Sequence, residues 1–149
     1  RSASRASLRG ATTSAYAINP EVGIALDTTL ANDFPGITDF DSVTRLGEGV
    51  AIKLMDASLI CHSDLVEHMR EVAVAGHIPH QLEILPRGGT DGGALQRTRG
   101  GTASITLSIP TRYIHTVNEM AHKTDIEAAV TLLGAYLNAA GRRSYIPKG

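Results

Sequence analysis

Cys61 is the only cysteine in the sequence, which excludes an internal disulfide and suits a reducing compartment. Neither sign of charge is in excess: 14 basic residues stand against 15 acidic ones, without a run of like charge. No nucleic-acid track or acidic tail is therefore expected. Every apolar run falls short of the roughly 18 residues of a membrane span and no signal peptide is visible, so the expectation is a cytoplasmic chain with no membrane partner. A repeat of roughly 20–50 residues, the mark of solenoids and propellers, is also missing. The opening RSASRAS lacks an initiator Met, which suggests processing or an artificial boundary, and residues 1–7 are expected to be disordered or non-native. What remains is one domain over residues 1–149, long enough to bury a core without staples.

The most informative stretch is Ala103 to His115. Ala103, Ile105, Leu107 and Ile109 alternate with Ser104, Thr106 and Ser108, the period of a strand. Pro110 is expected to end that strand by removing a ladder donor. The following Thr111-Arg112-Tyr113-Ile114-His115 then starts just outside a strand's carboxyl end, where α/β sheets present their ligands.

Around it the chain alternates strands with helices. Gly10 to Asn19 allows a short helix ended by Pro20. Val22 to Thr29 is an apolar run expected to be a strand covered on both faces, with Asp27 at its end. Asn32 to Gly47 reads as a long loop and Val50 to Met55 as a strand. Ser63 is expected to cap a helix that buries Leu65, Met69, Val72 and Ala73, with Asp64 and Glu67 in its first turn and Gly76 at its close. Gln81 to Leu85 alternates as a strand. The glycine-rich turn Pro86 to Gly93 then leads to a short helix over Ala94 to Arg99. Thr124-Asp125-Ile126-Glu127 has the form of a capping box, and Ile126, Val130, Leu133 and Leu137 the spacing of a buried stripe on a last helix stopped by Gly141. The order predicts a three-layer α/β sandwich with a largely parallel sheet.

Few residues in this frame can do chemistry. Asp27, ending an apolar strand, is either a cap on the next turn or a carboxylate waiting for a cation. His115, from a second strand end, could supply an imidazole to the same zinc or related divalent ion, though two ligands do not make a site. Gly88-Gly89-Thr90-Asp91 resembles a phosphate-cradling turn, but lacks the established phosphate-loop spacings, and Asp91 would repel a phosphate. An N-cap with glycines that permit close approach is favoured. Cys61 and His62 are neighbours on an extended segment and point to opposite sides, so they are not a nucleophile and base. His68, His77, His80 and His122 show no ligand spacing and receive no role.

Four segments together resemble a known family. LRGATTSAYAINPEVGIALDTT, AIKLMDASLICH, GGTDGGALQ and SIPTRYIHT, in this order, are similar to the glutamyl or deblocking aminopeptidases, dinuclear metallopeptidases whose dodecamers form hollow tetrahedra. The resemblance implies the carboxyl-terminal part of a zinc-peptidase-like catalytic domain, with a mixed sheet incomplete on its N-terminal side. It further implies two divalent ions, zinc or cobalt, with Asp27 on one and His115 on the other, a peptide substrate and a homo-oligomer. Gly88, Gly89, Thr90 and Asp91 would shape the substrate pocket. The family reads EEVGLRGA where this chain has SRASLRGA, so the base glutamate falls at Ser4 and a metal-binding glutamate at Arg5. The family's upstream histidine and metal-bridging aspartate would lie before Arg1. Two functions follow: a metal-dependent aminopeptidase with an incomplete site in this chain, or a non-catalytic, oligomer-forming module derived from one.

Overall fold

The computed structural model describes residues 4–38 and 41–145, with backbone alone for residues 4–7. Its elements in chain order are α1 (Ser4–Ile18), β1 (Val22–Leu30), β2 (Val50–Asp56), α2 (Ser63–Ala75), β3 (His80–Leu85), α3 (Asp91–Gln96), β4 (Ala103–Arg112), β5 (Met120–Ala121) and α4 (Lys123–Ala139), with a 3-10 turn over Ala140–Arg142. The expectation for residues 1–7 falls outside the described residues at 1–3. From Ser4 the backbone is helical, six residues earlier than Gly10.

The sheet is mixed and mostly parallel, in the order β1-β4-β2-β3 with β5 against the end of β4. β4 pairs parallel with β1, β2 pairs parallel with β3, and β2 joins β4 antiparallel through Ala51↔Ser108 and Ile52↔Leu107. α2 and α4 cover one face, and α3, backed by α1, covers the other. The three-layer α/β reading is thus what the chain adopts. Ile52, Leu65, Met69, Ile105, Leu107, Leu132 and Tyr136 form the core between the sheet and α2/α4.

β4 does not end at Pro110. It continues to Arg112, with Pro110 opposite Thr29. The Ala31 N–H donates to the Thr111 carbonyl at 3.0 Å, so alternation turns the Pro110 nitrogen away from β1. On that side β2 pairs only with Leu107 and Ser108, and β5 begins at Thr111, so no ladder donor is needed there. β1 is covered less completely than expected, since Leu26 on its α4 side is 57% exposed.

The N-caps of α2 and α4 lie one and two residues before the expected ones. His62, not Ser63, is the N-cap of α2, without a side-chain bond. His122 caps α4: its Nδ1 accepts from the Thr124 N–H at 3.3 Å, so Thr124 is not the head of a capping box. The buried stripe of α4 is Asp125, Ala128, Ala129, Leu132, Tyr136 and Ala139, whereas Ile126, Val130 and Leu137 are exposed. Asp125 sets this rotation. Its carboxylate is fully buried and accepts from the Gly47 and Gly49 N–H groups, both at 2.8 Å. Turning Ile126 inward would break these charge-assisted bonds. Gly141 lies within the 3-10 turn beyond α4.

The segment after α4 is pinned by Tyr145, which is 5% exposed. Its hydroxyl meets His68 Nδ1 of α2 and accepts from the Tyr136 hydroxyl of α4 at 3.2 Å. Burial pushes the His68 pKa below its ordinary value, assisted by Arg143 and Arg142 and opposed by Glu71. The unfolded chain therefore takes up this proton first as the pH falls through about 6.5. Stability is expected to decline from that pH downward until the folded-state pKa is passed. Urea midpoints for wild type and His68→Phe between about pH 5 and 8 check this, the variant showing the shallower slope.

Candidate functional site

The face of the sheet beneath α3 carries a dense set of buried polar side chains, among them Lys53, Glu83, Thr106 and Ser108. Alternation places Gly23, Ala25, Asp27 and Thr29 of β1 on this face, beside their register partners Ser104, Thr106, Ser108 and Pro110 of β4. Ala51 and Lys53 of β2 continue it, with Gln81 and Glu83 of β3. A register shift between Lys53 and Met55 then brings Asp56 to the α3 side, where it meets Thr90.

Small residues let α3 settle onto that face. A Cβ on Gly92 would lie 2.6 Å from both Leu59 Cδ2 and Thr106 Oγ1, and one on Gly23 would lie 3.0 Å from Leu95 Cβ. The GGTDGG turn is therefore a packing device in its second half. The helix starts at Asp91, not Ala94, with Thr90 as its N-cap. Thr90 is buried, donates to Asp56 Oδ2 at 2.8 Å and shares a bond of 2.9 Å with Thr106 Oγ1. Its hydroxyl is thereby spent within the fold. Gly88 has φ +123 and its carbonyl accepts from the Ala57 N–H at 2.9 Å, while Gly89 lies against Ser58.

Asp27 sits in the middle of this surface. Its Oδ1 accepts from the Thr28 N–H at 2.8 Å, which is the cap-like role weighed from the sequence. Desolvation raises its pKa above the ordinary carboxylate value, and the Thr28 bond opposes this; Asp91 and Glu83 raise it further, and Lys53 lowers it. Lys53 and Glu83 form a salt bridge in which both side chains are fully buried. Thr29 Oγ1 adds a donor to Glu83 Oε1 at 2.5 Å. Three oxygens on or beside this face are buried without a hydrogen-bond partner: Glu83 Oε2, Asp91 Oδ1 and Ser108 Oγ.

His115 stands apart from this cluster, exposed on the turn between β4 and β5 with φ +64. The turn is nonetheless built. Arg112 forms a two-pronged pair with Asp33 at 2.8 and 2.9 Å, which holds the Asp33 carboxyl below its usual range. Phe34 stacks on Tyr113 at 5.6 Å, and the His115 N–H donates to Glu119 Oε1 at 2.6 Å. Asp91 adds to the upward shift of Asp27, while His115 lies on the exposed turn beyond β4. Cys61 is buried, its thiol pushed up to about 11 by desolvation, and is inert as a nucleophile. His62 beside it is half-buried, its Nδ1 without a partner.

Residues 6–132 match the M42 glutamyl aminopeptidases. The chain belongs to that family. An M42 chain is expected to resemble its relatives in structure, and it does: an aminopeptidase of the archaeon Desulfurococcus kamchatkensis superposes with a TM-score of 0.86 at 37% identity, over 93% of this chain and 38% of that one. A peptidase of Pyrococcus horikoshii, described as assembling into a tetrahedron or a large octahedral shell, gives 0.72 at 31% identity, over 86% and 36%. A lysyl aminopeptidase of Pyrococcus furiosus is 38% identical over 94% of this chain and 39% of its own length. The M42 chain described here thus spans well under half the length of these relatives.

M42 proteins are metallo-aminopeptidases, which implies divalent ions. The residues present do not fit a complete dinuclear centre: among the described residues no group of three or more His, Cys, Asp or Glu side chains gathers as a ligand set. One desolvated carboxylate and one imidazole at the rim are what the M42 segment offers. Missed from the sequence were Lys53 and Glu83, charged residues inside the apolar strand runs AIKLMD and QLEIL. A charge in the middle of such a run, on neighbouring strands, is the signal that could have revealed the pair.

Proposed function

We propose that this chain is part of a metal-dependent aminopeptidase, contributing the sheet, Asp27, His115 and the α3 turn to the site that removes amino-terminal residues from peptides. The observation that supports it most is the Asp27 carboxyl, whose pKa burial raises and which no cationic side chain among the described residues pairs directly. A divalent ion would supply that missing charge and act as a Lewis acid towards the peptide carbonyl. In this reading Asp27 holds one ion and His115 the other, zinc or cobalt. Gly88, Gly89, Thr90 and Asp91 form the substrate side, with Thr90 fixing the turn from beneath and Asp91 facing the pocket. Family structures that assemble into closed shells support a homo-oligomer, and the single buried cysteine suits a reducing, cytoplasmic setting.

A second reading, a non-catalytic module derived from the same family, is favoured by Ser4 and Arg5 at positions where the family resemblance calls for glutamates. Elemental mass spectrometry after equilibration with zinc or cobalt separates the two. The catalytic reading expects metal uptake that Asp27→Asn and His115→Ala each reduce, followed by metal-dependent release of amino-terminal residues. Uptake indifferent to both substitutions sinks the metal assignment, and a metal-free chain that keeps its fold is the result the second reading requires.

A further inference from the structure

Among the described residues β3 is an outer strand of the sheet, bonded by β2 on one side only. The Val50 N–H donates to the Pro79 carbonyl at 3.2 Å, and the two strands run parallel with Val50 opposite His80. Alternation therefore directs the backbone groups of Gln81 and Glu83 at β2, and those of His80, Leu82 and Ile84 at the open edge.

Edges open to water are commonly guarded by lysine, proline or a bulge. The β3 sequence HQLEIL contains neither lysine nor proline. The register shift between Lys53 and Met55 places its extra residue in β2, which leaves β3 itself regular. Glu83 is the one acid on the strand, and Lys53 of the same chain binds it. The side chains at the edge are apolar: Leu82 is 44% and Ile84 49% exposed. Met55, the register partner of Ile84, and Ile60, bridged to Met55, extend the exposed apolar row.

Backbone donors and acceptors at strand spacing call for another strand, and β3 is complementary to itself. In an antiparallel pair about a two-fold axis at Leu82, that residue faces Leu82 of the second copy, and His80 of each copy faces Ile84 of the other. Every outward N–H then meets a carbonyl. Glu83 falls opposite Gln81, so no like charges are opposed. Moving the axis to Glu83 would oppose two acids and set His80 against Pro86, which has no N–H to donate.

We propose that β3 pairs edge to edge with the β3 of a second copy of this chain, antiparallel and centred on Leu82. One short strand and a few apolar side chains make an interface below about 1,200 Å², so the dimer is weak and concentration-dependent. The assignment gives the homo-oligomer reading above one specific contact and is independent of the metal ligands.

Sedimentation equilibrium of the full chain is expected to show a monomer–dimer equilibrium at concentrations up to about 1 mM. Leu82→Lys opposes two ammonium groups across the axis and is expected to raise the dimer Kd at least about tenfold. Its urea midpoint is expected to match wild type, because the side chain is already exposed. Single thiols, with oxidised glutathione as the oxidant, read the register. Leu82→Cys sets two thiols on Cα atoms about 5.5 Å apart, within disulfide reach, and is expected to bridge two copies. Ile84→Cys faces His80 instead and is expected to bridge far more slowly. Peptide mass spectrometry separates either bridge from the buried Cys61. A wild type that stays monomeric, a dimer indifferent to Leu82→Lys, or equal bridging by the two thiol variants overturns the proposal. Assemblies that persist unchanged in Leu82→Lys leave the homo-oligomer reading standing and remove this contact, turning attention to another surface such as the open edge of β1.

Discussion

Lys53→Met is expected to lower the free energy of unfolding by about 3–5 kcal/mol, the usual cost of leaving one member of a buried ion pair without its partner. Lys53 and Glu83 are both wholly buried, and Glu83 already carries one oxygen with no donor. Removing the ammonium leaves the Thr29 hydroxyl as the one hydrogen-bond donor to Glu83 among the described residues. The double variant Lys53→Met/Glu83→Leu is expected to recover most of the loss, because an apolar pair of similar volume is often as stable as a buried salt bridge. Urea denaturation of wild type, both single variants and the double variant completes the cycle. Equal losses in the Lys53→Met chain and the double variant would show that the uncompensated charge is not what destabilises the single variant.

Gly49→Ala is the second large effect. Gly49 has φ +95, and a Cβ there would overlap the Pro79 carbonyl and approach the His80 nitrogen, both backbone atoms at the start of β3. Neither can move freely, since the Pro79 carbonyl accepts from the Val50 N–H at 3.2 Å and the Gly49 N–H is held by Asp125. The strained backbone costs about 1–3 kcal/mol, and forced overlap in a packed region costs about 1–3 kcal/mol more. Gly36 is the internal control: its φ is +93, yet nothing lies within 4 Å of its Cβ position. Gly36→Ala should show the backbone term alone. A thermal or urea midpoint for Gly49→Ala no lower than that for Gly36→Ala would remove the steric argument.

The strands and their alternation were legible because burial on a sheet has a period of two that survives sequence noise. β1, β2, β3 and β4 lie where the apolar runs put them, to within a residue or a few. Helix rotation was less legible. Ile126, Val130, Leu133 and Leu137 have a flawless apolar spacing, but a buried acid, Asp125, outweighs them by binding two loop amides 76 and 78 residues away. No local pattern can announce a bond of that span. Pro110 misled for a related reason, since whether a missing donor matters depends on which neighbour the nitrogen faces. The site divides the same way. Asp27 and His115 were singled out as polar residues at expected strand ends, and Asp91 by the glycines around it, whereas β1 runs on to Leu30 and His115 lies on the turn beyond Arg112. The Lys53–Glu83 pair is not legible strand by strand, because each charge finds its partner only when β2 and β3 are paired in register.

The parallel pairing of β1 with β4 also governs how this chain comes into being. Val22 finds Ala103 as its partner, 81 residues further on. Everything between them, including α2, β3 and α3, is synthesised before the β1 ladder can close. Contacts of such long sequence separation slow folding, because loop-closure entropy is spent before any ladder bond forms. β1 is therefore still without its ladder when β2 and β3 can already pair, and an emerging chain holds it open in the interval. Refolding kinetics should accordingly be limited by the β1–β4 zipper.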